Sequence, residues 1–546
     1  MILFIWWNDH PPMYSRICIL ASCFVSALFV QAQRRTDRVD LTWGTPLNIK
    51  KDGECKGIID HGDDAYYLSL KRNEEERIAR LGQDLSVSYV KPIGDGLKKS
   101  SEKLEGMVPV EDKFIVFLSE YDKKAHSNDL YAQPYSKEAY MPLEGRQRVA
   151  SIAVKNDKDL GRFHITGHYR GADIICIDMK GPDTEYGRPS LPAVFLDQNL
   201  KPVEEKDLPQ NPEQFLGSDD DVADKALELK NGTEVFLTRQ YPDGQEHKGR
   251  GRESDPTFTF VLQVYENEAS QPFELPLKVP GKFLQDLKFM EDSNGDVLCI
   301  GFYGEEESWD VRGVFFIRIN GRTWAVSKQD LKPFTDEFIT EGLSSARASR
   351  AINKAERNEE ELALPFYDLN EMVRRPDGSV IMVAQQFKTW ETTAKIEPTP
   401  GFSERVPIVH FYHGDILVVS IAIDGTIGWT VKIPHRQKTD MLDDAYSGYL
   451  FHLNGDQVQF VFNENMDNLS LPPGESTKST TLHGAEAITN LVTITSDGIA
   501  HRELLYEADR AGTIIRKDLS RSFTDHTILL YTEHGSSYQF CEVKFK

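Results

Sequence analysis

Four stretches of the chain repeat one phrase, a glycine-containing tight turn followed at once by a run of β-forming residues. Asn231-Gly232-Thr233 precedes EVFLTRQY, Asn294-Gly295-Asp296 precedes VLCIGFY, Pro376-Asp377-Gly378 precedes SVIMVAQQF, and Asn454-Gly455-Asp456 precedes QVQFVFNE. Self-similarity at such intervals marks a repeat architecture, in which each unit is one supersecondary element that cannot bury its apolar surface alone.

The unit around Gly295 parses completely. FLQDLKFME reads as a strand, residues 292–295 as a turn, DVLCIGFYG as the next strand, EEESWDV as a loop, RGVFFIRI as a third strand, Asn320-Gly321 as a second turn and RTWAVSKQ as a fourth strand. The same grammar fits FYDLNEMVRR onward, with a long loop KTWETTAKIEPTPGFSERVPIVHFYHG before DILVVSIAI, and it fits again from YSGYLFHL and from ADKALEL. The turn glycines Gly232, Gly295, Gly378 and Gly455 are 63, 83 and 77 residues apart, room for four strands and generous loops. Weaker copies run upstream of these, and TIIRKDLSRSFTDHTILLYTEHGSSYQFCEVKFK supplies three strands at the end. The missing fourth is LTWGTPLNI, about residues 41–49, if the two ends pair and so remove both open sheet edges.

Four-stranded antiparallel sheets repeated radially make a β-propeller, so the expected fold is all-β with eight blades, seven being the alternative count. Residues 33–546 are read as a single domain, with one helical insertion near residues 342–364, where SSARASRAINKAERNEEELAL breaks the β pattern. GFYGEEESWDVRGVFFIRING and WTVKIPHRQ resemble segments of uncharacterised secreted bacterial proteins with propeller-like repeats, a likeness that extends loosely over the chain. No assigned catalytic residues carry over from it, and the general propeller resemblance implies a binding surface at a channel mouth, on a fold that hosts enzymes and passive scaffolds alike.

Residues 1–32 read as an export signal with an upstream extension: Arg16, the apolar run ICILASCFVSALFV, then Val30-Gln31-Ala32 before the cleavage point. An extracytoplasmic location follows, periplasmic or secreted. Leu20-Ala21-Ser22-Cys23 read as a lipobox gives the alternative, anchorage through Cys23. No later segment is long and apolar enough for a membrane helix. With 63 basic and 86 acidic residues, net charge −23, the chain lacks the cationic surface that nucleic acid requires. Cys55, Cys176, Cys299 and Cys541 form no CxxC pair. Cys176 and Cys299 sit in apolar runs as buried residues, while Cys55 and Cys541, near the two chain ends, leave a disulfide open.

Strand alternation places the tight turns on one face and the long connections on the other, where binding residues collect on a rigid scaffold. The candidates there are Tyr303, Glu305, Glu306, Glu307, Trp309, Asp310, Trp390 and His413, carboxylates flanked by aromatic rings able to stack on a sugar. The expected function is non-catalytic binding or scaffolding by a monomer, directed at a protein or glycan. The alternative is a carbohydrate-active hydrolase or lyase that uses these carboxylates as acid and base. No metal or cofactor is expected. Asp292, Asn294 and Asp296 have the opening spacing of a calcium loop but are accounted for by a hairpin turn. His164 and His168, four apart in an extended segment, lie too far apart to share an ion. AIDGTIGW at residues 422–429 shares only Asp424 and Trp429 with the Asp-box hairpin of sialidase propellers, and a Trp packed between blades suffices.

Overall fold

The computed structural model describes residues 38–546 apart from 63, 94–101, 156, 168–173, 182–189, 210–225, 242–257, 267–271, 307, 359–361, 400–401, 472–476, 481–486, 508–513 and 524–525. The export-signal segment, Cys23 and Glu307 therefore lie outside the described residues. The described residues form eight antiparallel sheets. We number them as blades in chain order: blade 1 covers residues 54–92, blade 2 102–153, blade 3 162–209, blade 4 226–277, blade 5 282–333, blade 6 368–440 and blade 7 450–507. Blade 8 joins the two ends of the chain. Its strand Ser537–Phe545 lies between Thr527–His534 on one side and Val39–Trp43 on the other, in the register Val39↔Phe545 to Trp43↔Cys541, and Leu47–Asn48 extends the same pairing.

Blades 1–3 and 5–8 are apolar on both faces, because their middle strands are buried on both sides. Cys299, Phe315 and Ile317 of blade 5 pack toward blade 4, while Ile300, Phe302, Val314 and Phe316 pack toward blade 6. Such strands read as continuous apolar runs rather than alternating ones. A core of this kind joins blades 1 and 2, 2 and 3, 4 and 5, 5 and 6, 6 and 7, 7 and 8, and 8 and 1. Cys176, Ala193 and Phe195 present an apolar face on blade 3. The first strands of neighbouring blades also touch, Lys282–Glu291 against Asp368–Arg374 among them, so these strands line the axis. The molecule is an eight-bladed β-propeller.

The tight turns are fixed by their own side chains. Asp292 Oδ1 accepts from the N–H groups of Asn294 (2.7 Å) and Asp296 (3.0 Å), so its oxygens close the hairpin that the sequence suggested. Trp429 donates from Nε1 to Ser496 O of blade 7 at 2.9 Å and packs between blades. Trp324 reaches the other way, to Glu266 of blade 4, at 2.6 Å. The second turn of blade 5 is wider than expected: Asn320 N–H bonds Ala325 O and Trp324 takes a positive φ of 55°, which delays the fourth strand to Val326–Pro333. The helical insertion comprises two helices, Asp336–Thr340 and Ser345–Asn358. The four cysteines among the described residues are buried free thiols, and Cys55 and Cys541 lie in cores on opposite faces of blade 8.

Gly425 has φ +83° and its missing Cβ would stand 2.3 Å from the Phe316 ring of the preceding blade, whereas Gly232, at φ +84°, has open space around it. Both substitutions strain the backbone, and only one also overpacks. Gly425→Ala is expected to cost roughly 2–4 kcal/mol and Gly232→Ala roughly 1 kcal/mol. Urea unfolding of the two variants beside the parent measures the difference, and equal losses would remove the inter-blade contact as the cause.

Candidate functional site

The middle strands of blade 6 do not stop where the sheet ends. Val380–Thr399 and Phe402–Ile421 form one long antiparallel hairpin, paired from Val380↔Ile421 to Thr399↔Phe402 with a register shift between Gln385 and Phe387. The segment expected to be a loop is therefore a β-arm that continues 14 residues beyond Gln385 on the outgoing strand, about 45 Å of extended chain. It springs from the connection between second and third strands, which places it on the face that carries the long connections and the inter-blade linkers, the wide face.

At its root a third strand, Gln437–Asp440, pairs with residues 410–413 of the returning strand. Polar side chains knit the three strands together. Buried His413 bonds Asp444 Oδ1 through Nε2 at 2.7 Å and faces Gln385 Oε1 through Nδ1 at 3.3 Å. Gln437 accepts from Gly448 N–H at 2.7 Å and donates to Asn463 O of blade 7 at 2.8 Å. One step out along the arm, His410 lies between Asp440 Oδ1 (2.5 Å from Nδ1) and Thr392 Oγ1 (2.6 Å from Nε2), with Trp390 stacked on its ring at 5.1 Å. With Nδ1–H donated to the carboxylate, Nε2 is left to accept from the hydroxyl. The ring joins all three strands.

Beneath the root, a buried polar cluster fills the junction with blade 7. Arg502 donates to Pro434 O (2.7 Å) and Asn468 O (3.2 Å) and lies 3.6 Å from Glu464, whose Oε1 accepts from Asn465 N and Asn468 Nδ2. Glu464 is fully buried, and burial pushes its carboxyl up against the pull of Arg502. Asp415 accepts from His435 N–H at 3.1 Å and is likewise pushed up by burial. Lys432, pushed down by burial, donates to Phe338 O, Ile339 O and Glu341 O and so ties the end of the Asp336–Thr340 helix to blade 6. His435 packs edge-on against Phe462, and neither ring nitrogen has a hydrogen bond of normal length and direction, although Gln437 leans close enough to favour the proton weakly. Burial, with repulsion from His413 second, pushes its imidazole down to about 3.

The sequence candidates fall into two groups. Tyr303 is a core residue, 4% exposed, between blades 4 and 5. Trp309 packs against the rings of Phe258, Phe283 and Phe366. Glu305 is ion-paired with Lys282 at 2.7 Å, Glu306 is exposed, and the Asp310 carbonyl accepts from Gln285 at 3.0 Å. Trp390 and His413 belong to the arm. Sequence reasoning noted Asp415 only as a neighbour of His410 and His413, and did not single out Asp440, Asp444, His435, Glu464 or Arg502, which come from distant strands and carry no common spacing. The arm itself had a signal: the β-branched run around Thr392 followed by the turn-forming residue types Pro398, Thr399, Pro400 and Gly401 in the sequence.

No protein-family model matches the chain, and no curated protein matches it. Among solved structures it is similar to an uncharacterized protein of Listeria monocytogenes EGD-e (10% identity, 84% of this chain and 96% of that one, TM-score 0.31). It is similar also to the β-propeller domain of the Trilobed protease from Pyrococcus furiosus (10% identity, 86% and 98%, TM-score 0.30). A third is a polysaccharide lyase, an ulvan lyase bound to -[GlcA(1-4)Rha3S]- (11% identity, 80% and 90%, TM-score 0.30).

The buried imidazole gives a pH test. Between its folded value near 3 and its ordinary value of 6.5, the unfolded chain binds the His435 proton and the folded chain does not, so this residue's contribution to stability falls as pH drops through that window. Asp415 and Glu464, pushed up, act in the opposite sense, holding protons in the folded state that the unfolded chain has released. His435→Leu is expected to flatten the loss of stability between pH 6.5 and 4, as read by urea midpoints; an unchanged slope would place the acid sensitivity elsewhere.

Proposed function

We propose that this propeller is an exported binding or scaffold protein that recognises a protein or glycan through its wide face, with the arm of blade 6 as the main contact. The observation that carries the reading is the arm itself. A two-stranded ribbon extending about 45 Å past its sheet adds little to the propeller core, and its root is braced by a third strand and two histidine–carboxylate pairs. Bracing of this kind holds a projecting element in one direction, as recognition requires.

Carbohydrate cleavage by the carboxylates of residues 305–310 draws less support. Glu305 is neutralised by Lys282, with Arg312 3.9 Å away, and the nearby rings of Tyr303 and Trp309 are spent on core packing. Export rests on the apolar run at residues 17–30. The test is to excise residues 391–409 and join Trp390 to His410, which are paired across the hairpin, by Asn-Gly, a two-residue turn suited to that register. The shortened protein is expected to keep the parent's unfolding midpoint and to lose at least tenfold in retention on a glycan array or on immobilised partner proteins. Unchanged retention would sink the proposal.

A further inference from the structure

Seven large apolar side chains among the described residues are at least half exposed, and all seven occupy one kind of place. Ile423 and Ile499 stand in the connection from the third to the fourth strand of blades 6 and 7, and Phe273 and Val326 open the fourth strand in blades 4 and 5. Val203 is the second residue of the fourth strand of blade 3, and blade 2 contributes Met141 and Leu143 from the same connection. In an antiparallel meander this third connection emerges beside the first, so the seven lie on the tight-turn face. Blade 6 shows it directly: a Cβ on Gly378, in the first turn, would stand 2.9 Å from Ile423 Cδ1 in the third connection. Apolar side chains scattered singly over a surface need no explanation, but six successive blades present theirs at the same end of the propeller.

We propose that the tight-turn face rests on a lipid bilayer, into whose surface these side chains dip, with the apolar stretch at residues 17–30 as the tether. This rests on the reading of an exported chain above, and it leaves the wide face and its arm turned away from the lipid. The course of the chain carries the argument. Val39 opens the fourth strand of blade 8 opposite Phe545, the last residue of the third, so the chain enters that blade from the tight-turn face. Nine residues separate Val30, the end of the apolar stretch, from Val39, a span of at most about 32 Å. Arg34, Arg35 and Arg38 stand in it against a single Asp37, a basic sequence suited to headgroups. The arrangement of the side chains favours lipid over protein as the occupant. Tips on separate blades make no continuous patch, so a protein partner would need a pocket for each, whereas a fluid interface takes each one separately. Lying at one end of the axis, they can all be reached by a flat surface. Isolated apolar contacts bind weakly, and a tether multiplies them by raising their effective concentration at the surface. The backbone beside them is already satisfied in blade 6, where Ile423 O accepts from Arg318 at 2.7 Å and Asp424 O from Lys328 at 2.6 Å, so shallow insertion strands neither carbonyl.

The test reconstitutes the full chain in phosphatidylcholine vesicles, with the photo-crosslinker p-benzoylphenylalanine in place of Phe273, of Ile499 or, as the control on the arm, of the exposed Arg405. Mass spectrometry then counts lipid adducts, which are expected to be at least fivefold more abundant at positions 273 and 499 than at 405. Val326→Ser combined with Ile423→Ser should lower the adducts at position 273 at least threefold, with the unfolding midpoint unmoved because both side chains are exposed. Adducts no more abundant at 273 and 499 than at 405, or adducts at 273 indifferent to the two serines, overturn the docking. If arm excision still abolishes partner retention, that result removes the docking alone and leaves the wide-face reading standing. Adducts concentrated at 405 would put the arm in the lipid and overturn both.

Discussion

A sheet that is apolar on both faces has no stable existence by itself, and blades 1–3 and 5–8 of this chain are of that kind. A linear stack of eight would bury the inner faces and leave two large apolar surfaces at its ends. The antiparallel pairing of Val39–Trp43 with Ser537–Phe545 solves the problem by making the last sheet from both termini, so that Val39 and Leu41 pack toward blade 7 while Leu47 packs toward blade 1. Everything else about the molecule, including which connections gather on the wide face, depends on the ring being closed there. The cysteines illustrate the consequence: Cys55 and Cys541 are near neighbours along the closed ring, yet the blade between their cores separates them, and burial pushes the Cys55 thiol up to about 12.

The parts of this fold legible in sequence were those set by local chemistry. Asn-Gly and Asp-Gly turns followed by apolar runs located the hairpins, because a positive φ at Gly295 or Gly378 and an acceptor at Asp292 or Asp377 are requirements met within a few residues. The turn after Asn320 was misjudged because Trp324, not a glycine, takes the positive φ there, drawn by its contact with Glu266 of the neighbouring blade. The arm was misjudged for a different reason. Its residues alternate weakly, since neither face is buried against a core, and a ribbon exposed on both sides writes no strong period into its sequence.

The candidate site was legible only in its aromatic and histidine members. Trp390 and His413 could be picked out as residue types on a long connection, whereas Asp440 and Asp444 became relevant only when residues 437–440 folded back beside the returning strand. The same holds deeper down. Glu464 and Arg502 lie 38 positions apart and meet through strand pairing in blade 7, then find Pro434 and His435 of blade 6 across the junction. Buried ionised groups of this sort contribute little net stability, since desolvation offsets attraction, but they tolerate few alternative arrangements. Their effect is to fix the position of blade 6 on blade 7.

That positional control matters most for the arm. An isolated two-stranded hairpin is marginal in water, and the order of this one must come from its root. As far out as the Trp390–His410 pair, the ribbon has a third strand and a stacked, doubly hydrogen-bonded ring to hold it. Beyond that pair the described ribbon is held by cross-strand pairs such as Thr392 with Ile408 and Ala394 with Val406. The direction of the outer ribbon is thus set at the junction of blades 6 and 7, through the strand and the hydrogen bonds that brace its root.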